Sequence, residues 1–218
     1  MSTFLYFPVN NHNIRKLFKA WNGILVRHEK ADKDDLPYWY LERTNIGHLA
    51  LAAYKLNGYS LQEFSMKKGR GQNKSTGRAD LYMYFPLSDT QWYDFNIEAK
   101  QIWCSLSMKN DQKVIKNALK KAEFDIKKHN DKEFRAKYAM AILFVLPYMK
   151  VLDEKRVTKE QLLSKFNRQI KQTVEETGAS FAAVHYADID VSTKLSKKYT
   201  KSDWYPGIAV IGKITNKK

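Results

Sequence analysis

The stretch "YAMAILFVLPYM", residues 138–149, constrains the fold more than any other part of the chain. It falls short of the roughly 20 residues that a membrane span needs. Within it, "YAMAILFVLP" (138–147) has no polar face to turn toward water, so it reads as a strand buried on both sides at the centre of a sheet. Helical periods stand on either side. "MKNDQKVIKNALKKAEFDIKKHN" (108–130) puts Ile115, Ala118, Leu119, Ala122 and Ile126 on one face. Downstream, Thr158-x-x-Gln161 is a capping-box pattern, and the helix it opens runs to about Thr177, where Gly178 closes it. Strands are predicted at 180–188 and 207–214. A buried central strand among alternating helices and strands predicts an α/β layered domain.

The chain before residue 108 supplies the rest of the layers. Residues 13–29 carry Ile14, Leu17, Phe18, Trp21, Ile24 and Leu25 at helical spacing, with Asn13 as N-cap. A second helix is predicted over 38–56, with Pro37 in its first turn and Asn57-Gly58 at its end. A strand over 59–67 and a Gly-rich basic loop, "KKGRGQNKSTGR" (67–78), come next. Two strands, 79–85 and 92–102, then face each other across the hairpin turn "PLSDT". The predicted order is helix, helix, three-strand meander, helix, strand, helix, strand, strand.

Charge points to the partner. Net charge is +15 and the pI about 9.6. Residues 1–110 hold 15 Lys/Arg against 10 Asp/Glu (+5), and residues 111–218 hold 23 against 13 (+10). Such an excess suggests an anionic partner, nucleic acid first; the alternative is a generically basic surface. One cysteine, Cys104, excludes an intrachain disulfide and a cysteine zinc cluster. The first residues, "MSTFLYFPVNNHN", lack the basic flank and apolar stretch of a signal peptide. The expectation is a soluble, cytoplasmic protein with no membrane segment.

Candidate chemistry starts from a short triplet, acid-x-Lys, which occurs four times. Asp111-Gln112-Lys113 and Asp125-Ile126-Lys127 fall in a helical pattern, where residues two apart do not face each other. Asp153-Glu154-Lys155 lies in a charged loop. Only Glu98-Ala99-Lys100 lies in a strand, "WYDFNIEAKQI", where a period of two puts both charges on one face. Across the hairpin, Asp80 should pair near residues 96–98, beside Glu98. Two adjacent carboxylates repel unless a proton or cation relieves them, and hard divalent cations take such oxygen ligands. Read as structure alone, Glu98 with Lys100 is an exposed ion pair, Asp80 a strand-start residue, and Glu42 a helix residue reaching solvent.

The segment "GRADLYMYF…YDFNIEAKQ" resembles the core of the PD-(D/E)xK nuclease superfamily. The likeness covers roughly residues 38–147, with a helical extension (1–36) before it and an α/β addition (150–218) after it. It implies a restriction-endonuclease-like fold: a mixed sheet whose three-strand meander is flanked by helices. On this likeness Asp80, Glu98 and Lys100 are catalytic. Asp80 and Glu98, the Ala99 carbonyl and Glu42 of the preceding helix would hold Mg²⁺ or Mn²⁺. Ala79 stands where many members have proline. The implied activity is metal-dependent endonuclease cleavage of nucleic acid, DNA foremost, with a homodimer expected if both strands are cut at paired sites. The alternative is an inactive nucleic-acid- or protein-binding module that retains the fold.

Weaker signals surround this core. The loop 67–78 lacks P-loop spacing; its Lys67, Lys68, Arg70, Lys74 and Arg78 are candidate phosphate contacts, or a solvated turn. Gln101 is a candidate backbone contact. The lysine-rich helix 108–130 would either track phosphates or simply be solvated. His48 and His185 have no partner at a telling spacing and read as structural; Tyr38, Trp39 and Tyr40 could stack on bases but read first as core.

Overall fold

A computed structural model describes residues 3–8, 14–32, 35–68, 75–86, 88, 90–106, 111–129, 136–150, 158–188 and 203–216. Their elements follow in the order β1 (Thr3–Pro8), α1 (Ile14–Ala31), α2 (Glu42–Lys55), β2 (Tyr59–Lys68), β3 (Ser75–Pro86), β4 (Trp92–Ser105), α3 (Asp111–Lys127), β5 (Tyr138–Lys150), α4 (Lys159–Thr177), β6 (Phe181–Tyr186), β7 (Asp203–Trp204) and β8 (Gly207–Asn216). Among these residues no helix is long and apolar enough to cross a membrane.

The apolar run from which the fold was read is indeed central. β5 lies between β4 and β8 in a mixed sheet of order β1-β6-β8-β5-β4-β3-β2, with the two-residue β7 on the far end of β5. β4 and β5 run parallel, and the other pairs are antiparallel. Both faces are covered. Leu17, Phe18 and Trp21 of α1 and Leu49 and Ala53 of α2 pack on one face, against Leu81, Phe95, Ile142 and Val210. Ile115 and Leu119 of α3 and Phe166 and Ile170 of α4 pack on the other, against Leu143, Val145, Val184 and Ile211.

Several local signals act as read. Thr158 caps α4 with a complete capping box: its hydroxyl accepts from the Gln161 N–H, and the Gln161 side chain accepts from the Thr158 N–H. Gly178 ends the same helix in the left-handed region, φ 62°. Asn57 (φ 60°) and Gly58 make the turn after α2, and a side chain at Gly58 would collide with the Tyr84 carbonyl.

The structure departs from these expectations at several points. β2 runs to Lys68 and β3 begins at Ser75, so Lys67, Lys68 and Arg78, expected in a loop over 67–78, stand on strands. β1 pairs antiparallel with β6 from Thr3↔Tyr186 to Pro8↔Phe181, as an unforeseen edge strand. α2 begins at Glu42 rather than residue 38. Residues 36–40 form a turn instead, in which the Trp39 N–H donates to the Leu36 carbonyl; Tyr38 is buried, but Tyr40, expected in the core, is exposed and donates its hydroxyl to Asp35. The Asn45 amide, from inside the helix, holds the Tyr38 carbonyl at 3.2 Å. Glu42 therefore stands in the first turn of α2. Asn13 lies outside the described residues.

Candidate active site

The meander aligns the two acids as strand phase requires. The β3–β4 ladder runs from Pro86↔Trp92 to Leu81↔Ile97, so the next step brings Asp80 beside Glu98. On β3, Leu81, Met83 and Phe85 are buried in the core with α1 and α2, Ala79 is also buried, and Asp80, Tyr82 and Tyr84 alternate with them onto the opposite face. Glu98 and Lys100 share that face. On β5, Ala141 pairs with Glu98 and packs with Ala139 against Ala122 and Ile126 of α3. These small residues let α3 close over the strand next to the acid.

Around Glu98 the contacts are short. Lys100 Nζ lies 3.3 Å from Glu98 Oε1 and donates to the Ala99 carbonyl at 2.8 Å. The Ala99 N–H donates to Asp80 Oδ2 at 2.7 Å, tying the two strands together at the acids. Glu98 is 5% exposed, so its charge needs compensation. Lys100 supplies part of it. His129, just beyond α3, supplies a second contact: its Nε2 is 2.9 Å from Glu98 Oε2, although not aligned as a hydrogen bond. Asp125 of α3 approaches Lys100 Nζ to 3.7 Å.

The electrostatics bring in Glu42. Burial raises its carboxyl pKa, with Asp80 and Glu98 adding to the rise and Lys100 and the Gln101 N–H opposing it. For Lys100, burial alone would lower the pKa, but Glu98, Asp80 and Glu42 more than offset it and the net shift is upward. Lys100 is thus held as an ammonium by the three carboxylates assigned with it. Among the described residues, however, no three Asp, Glu, His or Cys side chains lie close enough to form a ready metal cage. The donor set is still of the hard-oxygen type that suits Mg²⁺ or Mn²⁺.

A cleft of about 540 Å³ opens beside these acids, lined by Glu42, Arg43, Ile46, Gln62, Glu63, Arg78 and Asp80. Glu63 takes a left-handed φ of 49°, and the β2–β3 pairing lapses there, between Gln62↔Leu81 and Phe64↔Ala79. Its carboxylate pairs with Arg43 Nε and, at 3.1 Å, with Arg78. Two exposed guanidinium groups therefore flank the cleft.

Gln101 is engaged at both ends of its amide, donating to the Tyr40 carbonyl and accepting from Asn45 Nδ2, each at 2.9 Å. It clasps β4 to the start of α2. Lys67 and Lys68 belong to β2, but their side chains, like Arg70 and Lys74 as a whole, lie outside the described residues. Burial pushes the His48 imidazole down to about 4, keeping it neutral near pH 7. His185 sits between Asn22 and Glu29, far along the sheet from the acids in sequence and strand order.

Sequence reasoning missed Asp125 and His129. Asp125 belongs to a triplet set aside because its acid and lysine do not face each other on a helix. The signal that would have found both is their four-residue spacing beside Ile126, which packs on the sheet. The chain matches no protein-family model, no curated protein and no solved structure. The likeness to the nuclease superfamily therefore rests on the residues themselves.

Proposed function

We propose that the protein is a metal-dependent nuclease with a restriction-endonuclease-like core formed by α2, β2–β4, α3 and β5, and that it hydrolyses phosphodiester bonds, foremost in DNA. The observation that carries this reading is the placement of Asp80, Glu98 and Lys100 on one face of the adjacent strands β3 and β4, with Glu42 electrostatically coupled to all three. The excess of basic residues supports an anionic substrate.

Asp80, Glu98, Glu42 and the Ala99 carbonyl would hold Mg²⁺ or Mn²⁺. When bound, such an ion supplies charge neutralisation and an activated water. The Lys100 ammonium, kept protonated by the surrounding carboxylates, stabilises negative charge that grows on the phosphate. His129 and the Ala99 backbone restrain Glu98 and Asp80. Gln101 and Asn45 fix the first turn of α2, and so the position of Glu42.

The second reading is an inactive binding module. One observation favours it: both Glu98 oxygens already contact protein cations or imidazole, and no ready metal cage occurs among the described residues. Incubation of plasmid, linear and single-stranded DNA with Mg²⁺ or Mn²⁺ separates the two. The nuclease reading expects cleavage by the wild type and a loss of about a hundredfold or more in Glu98→Ala and Lys100→Ala. Equal behaviour of all three proteins would sink it.

A further inference from the structure

The face that carries Asp80 continues into a row of aromatic rings. Tyr82 and Tyr84 follow Asp80 at alternate positions of β3. β2 brings Tyr59 opposite Tyr84 and Leu61 opposite Tyr82, and β4 brings Trp92 opposite Pro86. Tyr59 stacks on Tyr84, ring centroids 5.0 Å apart and planes 20° from parallel. Trp92 continues the row at 6.4 Å from Tyr84, and Tyr82 packs 5.9 Å from Tyr59. This face is not core. Tyr59 is 47%, Leu61 46% and Trp92 51% exposed, because α3 packs on β4 and β5 and stops short of β2 and β3. The most open rings, Tyr59 and Trp92, stand at the part of the row remote from Asp80, level with Tyr84 and Pro86.

We propose that this face binds the unpaired bases of a single-stranded nucleic acid and leads the strand to the acids at Asp80. The proposal rests on the nuclease reading for what happens at the end of the row, but not for binding itself. Three features select the occupant. Aromatic faces on an open sheet stack on bases of any sequence, whereas a duplex hides its base faces. From Asp80 to Tyr84 the strand advances ~13 Å, about the length of four stacked nucleotides. Cations flank the path: Arg78 and Arg43 stand at the cleft next to Asp80. On the α3 side, Lys128 lies over the exposed Phe124 ring at 4.1 Å and pairs with Asp125 beside Lys100. A long exposed aromatic row on a membrane- or protein-binding face has no need of a phosphate-handling site in continuity with it.

The test is fluorescence anisotropy with the full chain in EDTA, so that binding is read without cleavage. The probes are labelled oligothymidylate, oligouridylate and a duplex of equal length. The expected result is tighter binding of a single strand than of the duplex, weakened about tenfold by Tyr59→Ala and by Trp92→Ala. Trp92→Phe should restore most of the loss, and duplex binding should not change. A preference for thymidylate or uridylate identifies DNA or RNA as the strand. Binding through the rings by a chain that cuts nothing would remove the nuclease reading and leave this one standing. Wild-type affinity in both alanine variants would overturn the proposal. So would a dimer, seen by sedimentation, that these substitutions dissociate while single-strand binding is unaffected, since a second copy would then cover the face.

Discussion

Among the described residues, two buried contacts join a histidine to a glutamate, and they differ in what surrounds them. His185 and Glu29 join β6 to α1: His185 Nε2 is 2.7 Å from Glu29 Oε1, and Nδ1 is 2.7 Å from Asn22 Oδ1. The rings of Trp21 and Tyr38 pack edge-on against the imidazole. Both ring nitrogens are hydrogen-bonded inside the core. His129 and Glu98 join α3 to β4 at 2.9 Å without that alignment. There the glutamate shares Lys100 with Asp125, Asp80 and Glu42. One pair is balanced and enclosed. The other belongs to a cluster in which carboxylates outnumber cations, at the edge of a cleft. Burial of a charge pair alone does not mark a reactive site; an excess of one charge, held together by the fold, does.

The sharpest way to break this comparison is to delete each glutamate. Glu29→Ala leaves a buried ring nitrogen of His185 without its hydrogen-bond partner and is expected to cost about 1–3 kcal/mol in urea unfolding. Glu98→Ala leaves Lys100 with Asp125, Asp80 and Glu42 still around it, and should cost much less. Equal losses would mean that both pairs are structural.

A smaller effect of opposite sign is expected at Glu42. Its carboxyl pKa is raised in the folded protein. As pH rises past the unfolded value of about 4.3, the unfolded chain ionises first and the folded state loses stability, a loss that is complete above the folded pKa. Glu42→Gln should therefore raise the urea midpoint at neutral pH and leave it unchanged well below the carboxylate range. A midpoint that falls at neutral pH would show that Glu42 is not crowded by Asp80 and Glu98.

The same contrast explains what the sequence made legible. Asp80, Glu98 and Lys100 could be read because strand alternation is a local rule and a hairpin turn fixes the register between β3 and β4. The centrality of β5 could be read because a strand covered on both faces has no polar side. The spacing of Asp125 and His129 beside Ile126 puts them on one helical face, but which strand that face meets is decided by the packing of α3 on Ala139 and Ala141, a contact between distant segments. β1 was missed for a similar reason. Its partner, β6, lies near the other end of the chain. The start of α2 was misplaced because Pro37 suits a turn as well as a first helical turn, and the Asn45 contact to the Tyr38 carbonyl decides between them.

Whether the crowded carboxylates are a metal site is measured most directly by calorimetric titration with Mn²⁺ in the absence of nucleic acid. The account predicts binding by the wild type, abolished in Asp80→Ala and retained in Glu29→Gln, since Glu29 belongs to the enclosed pair. Identical heats for the wild type and Asp80→Ala would contradict it.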